Sequence, residues 1–200
     1  MYKDVTGIIL NGSENAPEIK ANKNLKIKEN NVIEHIKNLM TNIFERVILI
    51  TNNPKEYKFL ELEMFEEFFK GKGPLAGIHA GLFYTETQKN FILSPEFPLL
   101  TEQMIKYIVD YKTSKLITLA KAEGNVFEFA GAYDRKCFLV AEDLLKKQVE
   151  QEKLGKKKKI IKVVRLIDKV GAQLIAAESL PFYSSNLFYN ISQEEDYSIK

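Results

Sequence analysis

Residues 71–81 read Gly-Lys-Gly-Pro-Leu-Ala-Gly-Ile-His-Ala-Gly and are the most specific stretch of the chain. Pro74 suits the first turn of a helix, where a missing N–H costs nothing. Gly71 and Gly73 let the backbone pass close to a neighbour, and Gly77 and Gly81 share one helix face. Two such glycines inside a helix fit close packing over a sheet and close approach to a ligand equally well. Two other sites could act on phosphate. Gly12 offers a backbone bend in a loop that also carries Lys23, Lys26 and Lys28, which together could cradle an anion; a solvated surface loop explains them as well. Glu96 stands between Pro95 and Phe97-Pro98, a stiff turn suited to a magnesium ligand, or to an exposed carboxylate. A lysine and a magnesium ion together would neutralise a triphosphate and the charge that builds up during phosphoryl transfer.

Other chemistry is poorly supplied. Two histidines, His35 and His79, and one cysteine, Cys137, form no zinc motif. Cys137 lies among Phe138, Leu139 and Val140 and reads as a buried thiol. Ser13, Ser94 and Ser114 show no partner pattern for a nucleophile. Phe65, Phe68 and Phe69 could stack on a base, with core packing the default. The lysine run 156–159 reads as a solvated helix start, with contact to an anionic ligand the second reading.

These residues need a scaffold. Short apolar runs at 5–10, 47–51 and 91–93 read as buried strands. Helical patterns follow at 32–42, from Pro54 to about 64, and from Pro74. Thr101 is a candidate cap for a helix to about Tyr111. Runs at 116–120 and 126–130 read as strands joined at Glu123-Gly124-Asn125. A helix over 134–153 ends at Gly155, another over 160–170 ends at Gly171, and 172–176 is a last strand. Strands alternating with helices predict an α/β fold with a mostly parallel sheet covered on both faces. In such sheets ligands sit beyond the carboxyl ends of the strands, here Leu10-Asn11-Gly12, Thr51-Asn52-Asn53 and Ser94-Pro95-Glu96. The polar stretch 11–31 is longer than a simple connection needs.

The bulk composition sets bounds. Two hundred residues suffice for one domain spanning 1–200. Lys and Arg number 29 against 27 Asp and Glu, and this balance gives no argument for nucleic acid or a membrane surface. A lone cysteine allows no intrachain disulfide and suggests a reducing compartment. No apolar run is long enough to span a bilayer, and no signal peptide is read at the N-terminus, so a cytoplasmic protein is expected.

Taken in order, these segments resemble molybdenum cofactor guanylyltransferase. That family shows Leu-Ala-Gly-Gly after the first strand, an Arg and an Asp-Lys pair in the loop, and an Asn at the second strand end. An Asp precedes Gly-Pro-Leu-Ala-Gly, Cys-Asp-x-Pro follows the next strand, and Asn-x-Asn-Thr-Pro-Glu-Asp lies near the C-terminus. Here Leu10-Asn11-Gly12-Ser13, Asn22-Lys23, Asn52, Glu67 (or Glu66), Gly73 to Gly77, Glu96 and Asn190-Ile191-Ser192-Gln193-Glu194-Glu195 stand in that order. The resemblance implies a Rossmann-like three-layer α/β/α nucleotidyltransferase. It would use GTP and Mg2+ to place GMP on the terminal phosphate of molybdopterin, with release of pyrophosphate. By resemblance, Leu10, Asn11 and Gly12 contact the nucleotide through backbone groups and Lys23 reaches its phosphates. Asn52 lines the base side, Glu67 accepts from guanine or ribose donors, and Glu96 holds magnesium. Transient contacts with cofactor-handling or molybdoenzyme proteins are implied too. The departures are Ser13 for a glycine, Pro17-Glu18 where the family has its Arg, Asn22 for an aspartate, and glutamates at both functional aspartates. They leave open a related nucleotidyltransferase with another nucleotide or acceptor, and a weakened nucleotide- or cofactor-binding homologue.

Overall fold

The apolar runs form strands and the amphipathic stretches form helices in the computed structural model, which describes residues 1–11, 26–27, 30–155 and 160–193. The first strand, β1 (Tyr2–Leu10), precedes a small antiparallel pair, β2 (Lys26–Ile27) and β3 (Asn30–Asn31). Helix α1 (Val32–Ile43) runs directly into β4 (Phe44–Ile50), and a 3-10 turn, Pro54–Leu60, leads to β5 (Glu63–Phe65). Then come α2 (Pro74–Tyr84), β6 (Lys89–Leu93), α3 (Glu102–Asp110), and the hairpin of β7 (Ile117–Ala122) and β8 (Asn125–Asp134). Helices α4 (Cys137–Lys153) and α5 (Val164–Val170) and strand β9 (Ala172–Ala176) complete the sheet and its covering layers.

The seven-stranded sheet has the order β5-β4-β1-β6-β8-β7-β9. Its strands are parallel except β8, which runs against both β6 and β7. From β1 the chain proceeds outward to β4 and β5, and then returns to β6 on the other side. The crevice between the carboxyl ends of β1 and β6 is therefore the switch point at which such sheets bind ligands. Because β8 is reversed, its first residues lie at this same rim. Between the pairs Leu119–Gly131 and Lys121–Val126 the β8 side carries extra residues, a bulge beside the crevice.

Local chemistry explains the elements. Asn31 and Glu34 form a reciprocal capping box on α1. Val32, Ile36, Met40 and Ile43 bury the inner face of that helix. Thr101 caps α3, its hydroxyl accepting from the Met104 N–H at 3.3 Å. One face of the sheet packs α1, α3 and the segment carrying Leu187, Phe188 and Ile191. The other packs α2, α4 and α5. Helix α2 is buried on all sides from Leu75 to Leu82, which its uniformly apolar sequence requires.

Three expected helices are shorter than their patterns, and the one expected from 134 begins at Cys137 because β8 runs through Asp134. The helix expected from Pro54 to 64 is a 3-10 turn followed by a strand. Glu61 takes a left-handed φ of 54°, which stops the turn, and Glu63–Phe65 then pairs with Ile48–Ile50. The helix expected from 160 begins at Val164: Ile160 lies beside Gly73, before α2, and the Ile161 N–H donates to Gln148 of α4 instead of opening a helix. Among the described residues no helix is long and apolar enough to cross a membrane.

Candidate functional site

Three strand ends are laced together on one side of the switch point. The Asn11 N–H donates to the Ile50 carbonyl at 2.9 Å, and the Thr51 N–H to the Phe65 carbonyl at 2.9 Å. Asn52 and Glu67 then grip each other. The Asn52 Nδ2 donates to Glu67 Oε2 at 3.0 Å, and the Glu67 N–H returns a bond to Asn52 Oδ1 at 3.2 Å. Glu67 is only 5% exposed. Its Oε1 lies 3.3 Å from where a Cβ on Gly77 would stand, and Leu10 Cδ2 lies 3.6 Å from the same point. The carboxylate therefore rests on the first turns of α2, the positive end of the helix dipole. Glu66 is exposed and ion-paired with Lys70.

A second set gathers beyond β6. Pro95, Phe97 and Pro98 are buried and leave Glu96 half-exposed at the rim. The Ser94 hydroxyl accepts from the Glu96 N–H at 3.3 Å. The C-terminal segment closes over this turn. The Ile191 N–H donates to the Glu96 carbonyl at 3.0 Å, and Asn190 Nδ2 to Glu96 Oε2 at 3.4 Å. Asn190 is itself oriented, its Oδ1 accepting from the N–H and hydroxyl of Ser192 at 2.8 and 2.7 Å.

Between Glu96, the β7–β8 hairpin and this segment lies a cleft of about 540 Å³. Phe127 and Phe188 stack at 4.1 Å in its wall, with Phe97 edge-on to Phe127 at 5.7 Å. The Tyr183 hydroxyl donates to Glu123 Oε1 at 3.2 Å. Glu128 also lines the cleft, and burial pushes its carboxyl above the usual carboxylate range, against the pull of the Lys162 charge.

Of the residues singled out from the sequence, Leu10, Asn11, Asn52 and Glu67 meet at one side of the rim. Glu96 meets Asn190 of the C-terminal motif beyond β6. Gly12 and Lys23 lie outside the described residues, as do Glu194 and Glu195. Sequence reasoning missed the cleft wall, above all Glu123, Phe127, Glu128 and Tyr183. The aromatic density at 127–129 and 182–189 was the available signal, but the β8 bulge that turns these residues to the rim leaves no mark in the pattern. The phenylalanines at 65, 68 and 69 pack with α2 instead of lining the rim: Phe65 and Phe68 both stack on Tyr84. Cys137 is buried, its thiol pushed up to about 12 by loss of solvent.

The oxygen donors at Glu96 fit a hard cation. Among the described residues no three-ligand cluster of His, Cys, Asp or Glu is present. Magnesium takes oxygen ligands and needs few of them from the protein when phosphates supply the rest.

Residues 20–164 match the MobA-like NTP transferase domain family. The chain is 31% identical over 157 residues to a protein of Flavobacterium johnsoniae named as a probable molybdenum cofactor guanylyltransferase, covering 78% of this chain and 76% of that one. It is 25% identical over 198 residues to a protein of Clostridium perfringens with the same name, covering 98% and 96%. Among solved structures, molybdopterin-guanine dinucleotide biosynthesis protein A from Archaeoglobus fulgidus is similar with a TM-score of 0.67 at 16% identity, covering 94% of this chain and 90% of that chain. At that identity the likeness is one of fold.

Proposed function

The chain belongs to the MobA-like NTP transferase family, and on that premise we propose that it transfers GMP from GTP to the terminal phosphate of molybdopterin. An acceptor phosphate oxygen forms a bond to the α-phosphorus of GTP. The bond from that phosphorus to the oxygen bridging to the β-phosphate breaks, and pyrophosphate leaves with the electron pair. What supports this reading is the division of the rim. A backbone-laced half carries the buried Asn52–Glu67 pair, and an acidic half at Glu96 adjoins an aromatic cleft.

Each half has its work. Leu10, Asn11 and Gly12 contact the nucleotide through backbone groups. Glu67 accepts from guanine or ribose donors, and Asn52 holds it in place. Lys23 meets the phosphates. Glu96, steadied by Asn190, would hold Mg2+, which when bound offsets the charge on the reacting phosphates. The cleft beyond Glu96 receives the acceptor.

Pyrophosphate release from each of the four NTPs, with magnesium and purified molybdopterin, tests the reading. Release from GTP that requires molybdopterin is expected. Glu96→Gln and Lys23→Ala are each expected to slow it about a hundredfold, as removal of one group that stabilises developing charge does. Preference for CTP or UTP would overturn the guanine assignment, and release that ignores molybdopterin would overturn the acceptor.

A further inference from the structure

The acceptor cleft carries acids where a phosphate would need cations. Its described wall holds Glu96, Glu123 and Glu128 and no lysine or arginine. An anionic group inside it would face repulsion on several sides, so the acceptor's phosphate belongs at the Glu96 edge, beside the cation. The interior suits a flat, uncharged ring rich in N–H donors, lying against aromatic side chains.

The three carboxylates are not equivalent. Glu96 takes the Asn190 amide, and Glu123 takes the Tyr183 hydroxyl. Glu128 is half-buried, and among the described residues no hydrogen bond or ion pair reaches its carboxylate; Lys162 acts on it only at longer range. Its backbone is fixed, because the buried Tyr133 hydroxyl donates to the Glu128 carbonyl at 2.5 Å. It also sits on the β8 bulge, where the strand leaves its ladder with β7. A partly desolvated carboxylate held without a donor is costly unless a ligand supplies one.

Resting on the transferase reading above, we propose that Glu128 is a specificity-determining residue of the acceptor cleft. Its two oxygens accept parallel N–H bonds from the amino and ring N–H of a 2-amino-4-oxopyrimidine ring, as in a pterin. Guanine presents the same edge, so the nucleotide is the rival source of this chemistry.

The purified chain is titrated with pterin and with lumazine, which replaces the 2-amino group by a carbonyl, following ligand fluorescence. The wild type is expected to prefer pterin by about tenfold or more, because a site built for two donors rejects a ring that offers one. Glu128→Gln presents one donor and one acceptor and matches lumazine, so the preference collapses or inverts. Glu102→Gln, on the exposed surface of α3, keeps it. This ratio is insensitive to a general loss of fold. An unchanged ratio in Glu128→Gln, or a wild type that binds neither ring at millimolar concentration, overturns the proposal. Guanosine, which presents the same edge, is expected to displace pterin only at higher concentration than pterin itself needs; displacement at lower concentration would assign the cleft to the nucleotide base and overturn it too. A fluorescent GTP analogue bound equally by all three proteins keeps failure here distinct from failure of the transferase reading.

Discussion

At Gly77 a missing side chain leaves room for a carboxylate, and at Gly81, four residues on, the same absence leaves room for a core. A Cβ at Gly77 would press on Glu67 Oε1 at 3.3 Å, whereas one at Gly81 would meet Ile8 Cγ2 at 2.7 Å and Cδ1 at 3.2 Å. Gly81 takes the close packing that the sequence allowed for this pair, and Gly77 gives room to the Glu67 side chain. The same substitution should therefore give opposite signatures. Alanine favours a helix interior over glycine by about 1 kcal/mol, so Gly77→Ala is expected to hold or raise Tm. The contact shifts Glu67 Oε1 by a few tenths of an ångström while the Asn52 bond to Oε2 is kept, and GTP affinity is expected to fall several-fold. In Gly81→Ala the isoleucine has no space to yield, and overpacking costs about 1–3 kcal/mol. For a chain of this size that lowers Tm by roughly 2–10 °C, with GTP affinity at saturating fold unchanged. Thermal melts paired with titrations of a fluorescent GTP analogue read both quantities. Parallel loss of affinity in the two variants would show that Gly77 is only a packing residue.

The element that carries these residues to the rim is the turn before α2. Gly73 has φ of 86°, a conformation open almost only to glycine, and a Cβ there would fall 2.4 Å from Ile160 Cγ2. Lys72 ion-pairs with Glu152 near the end of α4. Buried Gln148 joins Glu152 to the Ile161 N–H, through bonds of 3.2 and 3.3 Å. The turn, α4 and the segment before α5 are thereby fixed as one unit. Gly73→Ala is expected to cost at least about 2 kcal/mol from backbone strain and the clash, read as a lower urea midpoint. An unchanged midpoint would mean that the turn has slack that its contacts deny. The sequence made this turn legible, because Gly-x-Gly-Pro has few conformational solutions. It hid β5, three residues whose pairing with Ile48–Ile50 is decided by an open sheet edge and not by local pattern. It likewise hid the β8 bulge, since alternation cannot show where a ladder loses register. Leu10, Asn11, Asn52 and Glu96 could be listed from strand ends alone and Glu67 only from the resemblance, while the cleft wall needed the bulge and the C-terminal segment folded back on Glu96.

Across the whole molecule, the alternating pattern announced two packed layers on one sheet, and both are present. What it could not announce was which buried positions are polar, since a histidine on an apolar helix reads the same whether it is satisfied or not. His79 lies in the layer formed by α2 and α4, 3% exposed, and both ring nitrogens lack a hydrogen-bond partner among the described residues. Phe69 and Phe68 stand edge-on to it at 5.2 and 5.8 Å, with Phe83 and Phe138 both at 6.3 Å. Loss of solvent lowers its pKa below the ordinary 6.5; the Glu142 charge opposes that shift and Lys146 adds to it. The sign of the linkage follows. Above pH 6.5 the ring is neutral in both folded and unfolded chains, and the fold keeps its full stability. As pH falls below 6.5 the unfolded chain binds a proton that the folded chain resists, and stability declines until the folded ring also titrates. Between pH 7 and 5.5 this contributes a loss of up to about 1 kcal/mol. The other acidic and basic groups remain in His79→Leu, which should lack only this component. Urea midpoints at the two pH values are therefore expected to drop further for the native chain than for His79→Leu. At pH 7 the variant should be at least as stable, because it no longer buries two unsatisfied nitrogens. Equal acid-side losses in the two proteins would mean that the ring finds a proton acceptor inside the fold.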